Sequence, residues 1–415
     1  MTTVTREPRK YDIVLLGATG YTGGLTAEHI ARHLPTNLRW ALAGRSSAKL
    51  EALANKLRIL NPDRLQPDIE VVSIDDRETL HNLIGNAKVC ISVVSYWSVG
   101  ALVIEACVEN KTDYVDTEGD IATQRQWCDK FHDRAAANGT ILVHSCGMFT
   151  APHDLLSWAA VRELADKYSV EAKEIILAIE ELPQEVSGGT MEALGNIFEA
   201  DPRIARQAQK DPWYLSPKRG TETSTFTSVL GIRRDPYFGV LSASTFAAAQ
   251  NRAIVHRTWG LLHGKVQGYS SNFQYNEYDK ASSVAAGFLR VLGQCITSTA
   301  LSTGVFYRVV RKLFPAAGDG PDVEKSRRST VRMEVQAVAE ARPGETPRRL
   351  RASFLYPAGP YLVTALFLAE AAASLLYNRT VEGKISGGCL TPAVLGNDFL
   401  ERVRKAGAQI EISSI

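Results

Sequence analysis

The stretch GATGYTGG, residues 17–24, places Gly17, Gly20, Gly23 and Gly24 where an apolar run, YDIVLL, hands over to a helix-like pattern. Glycine disfavours a helix by about 1 kcal/mol relative to alanine, so four together need a compensating role. The spacing G-x-x-G-x-x-G at a strand-to-helix junction supplies one. Gly17 permits a sharp turn, Gly20 lets backbone approach a diphosphate, and Gly23 lets helix and strand pack closely. The first N–H groups of the helix, aided by its dipole, then face the phosphates. Thr19 and Thr22 add hydroxyl donors, and Tyr21 sits between them in the same loop. The pattern predicts a dinucleotide seat.

The next apolar run, LRWALAG, ends in Arg45 and Ser46, with Lys49 close behind and no acid at its tip. A ribose 2′-hydroxyl is usually met by Asp or Glu at this place. Cations and hydroxyls suit a 2′-phosphate instead, which a guanidinium can bind bidentately. NADP(H) is therefore expected over NAD. Asp75, after the third run, is a candidate acceptor for the adenine amino group.

The fourth run ends in SYWSVG, residues 95–100, beside the expected position of the nicotinamide. Ser95 and Tyr96 are read as its floor. Tyr96 is the first candidate for a proton or hydrogen-bond donor. His153 is the second, because imidazole titrates near neutral pH. Each has a plainer reading, Tyr96 as pocket wall and His153 as helix cap. In EVSGGTMEAL, Ser187, Gly188, Gly189 and Thr190 open a helix that can meet a substrate carboxylate, thioester carbonyl or pantetheine phosphate, or form a capped turn. Asp116, Glu118 and Asp120 lie on the same rim, with Asp120 read as a helix cap. No metal site is expected, since His29 and His33 stand four apart without partner ligands.

These residues need a scaffold, and the first 150 residues supply its pattern. Short β-branched runs alternate with segments whose apolar residues recur three or four apart, which predicts a parallel, doubly wound α/β sheet. The rhythm changes near residue 150. A helix at 152–168 precedes the strand-like 172–182, then 183–260 shows weak periodicity. STVRMEVQAVAE and RRLRASFLY read as a hairpin, 315–329 as a mobile loop, and 361–378 as a buried helix rather than a membrane span. A dinucleotide-binding domain at 1–150, a second domain at 151–360 and a helical segment at 361–415 follow. A net charge of +2 gives no footprint for nucleic acid, and six cysteines without a CxxC pair suit reduced thiols in the cytoplasm.

GATGYTG, the AGR that ends the second run, DYVDTEGD, SCGMFTAPHDLL, SGGTMEAL, AGPYLVTALFLAEAA and GGCLTPAVLG occur in an order that resembles the saccharopine dehydrogenase-like oxidoreductases. The subgroup of trans-acting enoyl reductases is the most similar. The resemblance implies a Rossmann domain, a second α/β domain carrying a mixed sheet, and a carboxy-terminal segment returning to the first domain. It also implies NADPH-dependent reduction of an activated alkene, such as a carrier-bound enoyl intermediate of polyketide or lipid biosynthesis delivered by a partner synthase. Reduction of an imine or ketone, a non-catalytic nucleotide-binding scaffold, and assembly as a homodimer are the other readings. This chain has SYWS where relatives carry a Gly-Pro-Tyr step, and MFTAPHDLL where they carry Phe-Asp-Ser-x-Pro-x-Asp. No cationic cluster suited to saccharopine itself is assigned.

Overall fold

The computed structural model describes all residues except 1–8, 200–201, 222–226, 244–246, 302, 317, 342–343 and 380. The amino-terminal part carries strands β1 (Tyr11–Leu16), β2 (Trp40–Gly44), β3 (Asp68–Val71), β4 (Ala87–Ser92), β5 (Asp113–Asp116) and β6 (Ile141–Val143). The middle carries β7 (Ala172–Glu181), β8 (Ile232–Asp235), β9 (Gly239–Ala243), β10 (Tyr269–Ala281), β11 (Val331–Ala339) and β12 (Arg349–Tyr356). Two late strands, β13 (Gly388–Leu390) and β14 (Gln409–Ser414), complete the set.

The first sheet runs β13-β6-β5-β4-β1-β2-β3 with every pair parallel. Its inner strands are apolar runs buried on both faces, as helices on either side require. The strand order reverses between β1 and β4, and a ligand crevice forms outside the strand ends at such a point. The second sheet runs β14-β12-β11-β7-β10-β9-β8, and β7 with β10 is its parallel pair. The expected mixed sheet and the carboxy-terminal return are both present, because β13 extends the first sheet and β14 edges the second.

Helix Pro360–Tyr377 lies between the sheets, with 83% of its length buried. It is apolar on every face for that reason, not for a bilayer. Phe367 meets Phe399 edge-on at 5.6 Å and Phe354 of β12 at 6.1 Å. On the other side Glu370 joins His29 Nε2 at 3.1 Å, which ties this helix to helix Tyr21–His33. His29 stacks on His33, so the pair serves packing.

Three features depart from expectation. The described residues of 183–260 include helices Gly188–Glu199, Pro202–Lys210 and Ala248–Leu262 and the hairpin β8–β9. Helix Ala248–Leu262 shows no amphipathic period because its polar side chains are buried and bonded. His256 holds the Pro212 carbonyl (2.8 Å), Arg257 the Cys389 carbonyl (2.6 Å), and Thr258 the Asp154 carboxyl (2.6 Å). Strand β10 hides behind a polar sequence for the same reason, since its Asn276 binds Glu174 and its Glu277 accepts from Asn251. The segment 315–329 is read as mobile, but its described part is tied down at two points: Tyr21 donates to the Pro321 carbonyl at 2.9 Å and Arg327 pairs with Glu28 at 2.9 Å.

Phe367 is fully buried and touches aromatic partners from two other elements. Phe367→Ala should therefore destabilise the fold by about 3–5 kcal/mol, read as a lower unfolding midpoint of the full chain. An unchanged midpoint would show that this helix does not carry the join.

Candidate active site

A cleft of about 610 Å³ opens at the carboxyl ends of β1 and β4 and reaches across to the second sheet's lobe. Its floor is the glycine loop. Gly17 adopts φ +86°, and a Cβ there would sit 3.0 Å from the Val93 carbonyl. A Cβ on Gly23 would lie 2.3 Å from the Gly17 carbonyl oxygen, so the helix touches the turn. A Cβ on Gly20 would meet only that oxygen, at 3.5 Å, and otherwise open space. Gly20 is the N-cap of helix Tyr21–His33 and makes no side-chain capping bond. The first N–H groups of this helix are thus left to the cleft, which Thr19, Tyr21 and Thr22 also line.

At one end lie Arg45, Lys49 and Asp75, all exposed and all lining the cleft. Arg45 has no ion-pair or hydrogen-bond partner among the described residues, as an anion-reading guanidinium requires. Ser46 is spent otherwise: its hydroxyl caps helix Ser47–Leu60 by accepting from Lys49 N at 3.4 Å, and it does not line the cleft. Asp75 stands in the turn after β3, four residues past a strand shorter than its apolar run.

At the other end, Ser95 lines the cleft and precedes a π-helical turn, Tyr96–Gly100. The backbone of Tyr96 opens that turn, while its side chain lies outside the described residues. Trp97, Ser98 and Val99 contribute the wall instead. His153 must be corrected. It is fully buried away from the cleft wall, and neither ring nitrogen has a partner among the described residues. Burial pushes its pKa down to about 3, so it is neutral at working pH, neither acid nor cap.

The same rim carries a buried acid, Glu118. It lines the cleft yet is 1% exposed. One carboxyl oxygen accepts from Asp120 N–H, while Oε2 has no partner among the described residues. Burial, then the neighbouring Asp116 charge, pushes its pKa well above the usual carboxylate range. The backbone around it is pinned. Glu118 N–H donates to Asp116 (3.0 Å), and Ser145 Oγ donates to the Glu118 carbonyl (2.7 Å). Asp116 also holds His144 at 2.8 Å, and Asp120 caps its helix through Thr123 N–H at 2.9 Å. Those two acids are structural.

The far wall is helix Gly188–Glu199. Ser187 caps it by accepting from Thr190 N–H (3.2 Å), and Ser187 N–H donates to Tyr361 Oη (2.7 Å). Thr190 Oγ1 shares a 2.6 Å hydrogen bond with the same phenol. Ser187, Gly189 and Thr190 line the cleft, whereas Gly188 turns its N–H to the Asp319 carbonyl. Tyr361 itself packs edge-on against Tyr21 at 5.1 Å. It joins glycine loop to far wall, and nothing in its local sequence signals that role. Met148, Phe149 and Thr364 complete the middle of the cleft.

A dinucleotide phosphate fits these residues. The glycine loop offers a cradle that a Cβ on Gly20 would enter, and Arg45 and Lys49 supply unneutralised positive charge beside it. Comparison with known proteins agrees. Residues 13–143 match the saccharopine dehydrogenase NADP binding domain. A Mycobacterium tuberculosis relative is 29% identical over 437 residues, covering 99% of this chain and all of its own. The trans-acting enoyl reductase of Mycobacterium leprae is 29% identical over 97% of this chain and 98% of its own. The saccharopine dehydrogenase (L-Glu forming) of Saccharomyces cerevisiae, 12% identical, superposes with a TM-score of 0.52 over 98% of this chain, a likeness of fold.

Gly20→Ala should leave the unfolding midpoint unchanged, since its methyl meets open space, yet weaken NADPH binding at least tenfold in a fluorescence titration. Arg45→Asp should cost NADPH far more affinity than NADH; equal losses would remove Arg45 from the 2′-phosphate. With a saccharopine dehydrogenase NADP binding domain matched at its amino end, relatives along its whole length and this pair of sheets, the chain is similar to the saccharopine dehydrogenase-like oxidoreductases.

Proposed function

We propose that this protein is an NADPH-dependent reductase of an activated alkene, acting on a carrier-bound enoyl thioester of polyketide or lipid biosynthesis beside a partner synthase. One observation carries the reading: the cleft that contains the dinucleotide seat is also lined by a buried carboxyl, Glu118, with one oxygen unpartnered among the described residues. NADPH, when bound, supplies the reducing equivalent. The chain's own residues do the rest. The turn at Gly17–Gly23 grips the diphosphate through backbone N–H groups, and Arg45 and Lys49 take the 2′-phosphate.

Reduction of an enoyl thioester builds negative charge on the carbonyl oxygen and requires a proton at the α carbon. A carboxyl kept neutral by burial can donate a hydrogen bond to the first and hand its proton to the second. Burial raises the pKa of Glu118 and the residue lines the cleft that contains the glycine loop, which supports that role. The mouth of helix Gly188–Glu199, with Ser187, Gly188, Gly189 and Thr190, is suited to the thioester or the pantetheine arm. Of the segments that differ from relatives, 95–98 and 148–156, Ser95, Trp97, Ser98, Met148, Phe149 and Thr150 line the cleft, which favours a change of specificity over a scaffold without turnover. All six cysteines are free thiols, in keeping with a cytoplasmic, reducing setting.

Glu118→Gln keeps the shape and removes the proton. Its kcat should fall by about 10²–10⁴ with NADPH affinity unchanged. Because the acid form is the active one, wild-type activity should be full at low pH and fall as pH rises through the raised pKa of Glu118. The variant should lack that limb. An undiminished kcat would remove Glu118 from the chemistry, and turnover of keto or imine substrates alone would replace the alkene.

A further inference from the structure

Helix Val284–Leu301 is 18 residues of high mean hydropathy with only 6% of its length buried, the reverse of helix Pro360–Tyr377. Its inner side rests on the outer strands of the second sheet. A Cβ on Gly287 would press within 2.8 Å of Ile232, and Gln294 donates to Asp279 at 3.0 Å. Its outer side shows Leu289 (65% exposed), Leu292 and Ile296 (61%), spaced three and four apart along one face. Helix Gly304–Arg311 continues the surface with Phe306, Val309 (60%) and, just beyond, Leu313 (82%). Single exposed apolar side chains are ordinary, but six of them on two successive helices and just beyond mark an interaction face.

Charge selects the partner. Residues 281–318 contain Arg290, Arg308, Arg311 and Lys312 and no Asp or Glu. Arg290 lies 4.0 Å from Asp279 and Arg311 turns inward toward Glu192 at 3.8 Å, while Lys312 and the guanidinium-bearing Arg308 lie at exposed positions beside Val309 and Leu313. A second copy of the chain would set these cations against their own kind. An anionic lipid surface accepts both the apolar stripe and the positive rim. The inner contacts of Gly287 and Gln294 with the sheet prevent the helix from crossing a bilayer, so it can only lie in the headgroup layer.

We infer that helices Val284–Leu301 and Gly304–Arg311 dock this protein on an anionic membrane surface. The docked element is continuous with the cleft, because Tyr307 donates to the Met191 carbonyl at 2.5 Å and so braces helix Gly188–Glu199. The docking stands whether or not the cleft reduces an alkene. Co-sedimentation of the full chain with phosphatidylcholine vesicles, with and without phosphatidylserine, tests it. Binding should require phosphatidylserine and weaken as salt is added. The double variant Leu289→Glu with Ile296→Glu should lose binding at least tenfold, and Arg308→Glu with Lys312→Glu should lose the preference for anionic lipid. All four sites are solvent-exposed, so unfolding midpoint and NADPH affinity should not move. Failure to bind either vesicle, equal binding to neutral lipid, or a solution dimer that the apolar variants convert to monomer would each overturn the inference.

Discussion

The close approach of helix Tyr21–His33 to the end of β1 is the constraint on which the site depends. A single methyl on Gly23 would occupy the space of the Gly17 carbonyl oxygen. The helix therefore begins hard against the turn, and its first N–H groups point along the crevice rather than into a side-chain cap. Two consequences follow. The loop can take a diphosphate by backbone alone, and Tyr21, one residue into the helix, is placed to reach the second lobe.

That reach is completed from the other end of the sequence. Tyr361 stands against Tyr21 and receives the Ser187 N–H, while Thr364, one turn later, accepts from Met148 N–H at 3.0 Å. One turn of helix Pro360–Tyr377 thus touches the glycine loop, the far wall and the middle of the cleft. The chain then adds β13 to the first sheet and β14 to the second. Both lobes are stitched by residues after 360, which couples the cleft's width to the packing of a helix buried between the sheets.

How legible each part is follows from how local its signal is. The glycine spacing, the run that ends in Arg45 and the strand–helix alternation are local, and the parallel sheet could be read from them. Helix Ala248–Leu262 and strand β10 could not, because their buried polar residues are satisfied by partners far away in sequence, such as Asp154 and Glu174. Those partners erase the periodicity on which such readings rest. Tyr361 was unreadable for the same reason, being 174 residues from the Ser187 it binds.

Burial also decides which acid is available. His153 and Glu118 are both removed from solvent, and desolvation favours the neutral form of each. For an imidazole, neutrality leaves no acidic proton to give near pH 7. For a carboxyl it preserves one. The residue type that titrates near neutral pH in water is thus disarmed in this interior, and the type that is ionised in water is armed. Asp154, one residue past His153, shows the same push, up to about 7, but Thr258 and Ala393 N–H occupy its oxygens. Glu118 differs from it in having one carboxyl oxygen without a partner among the described residues, on a residue that lines the cleft, and the proposed role rests on that difference.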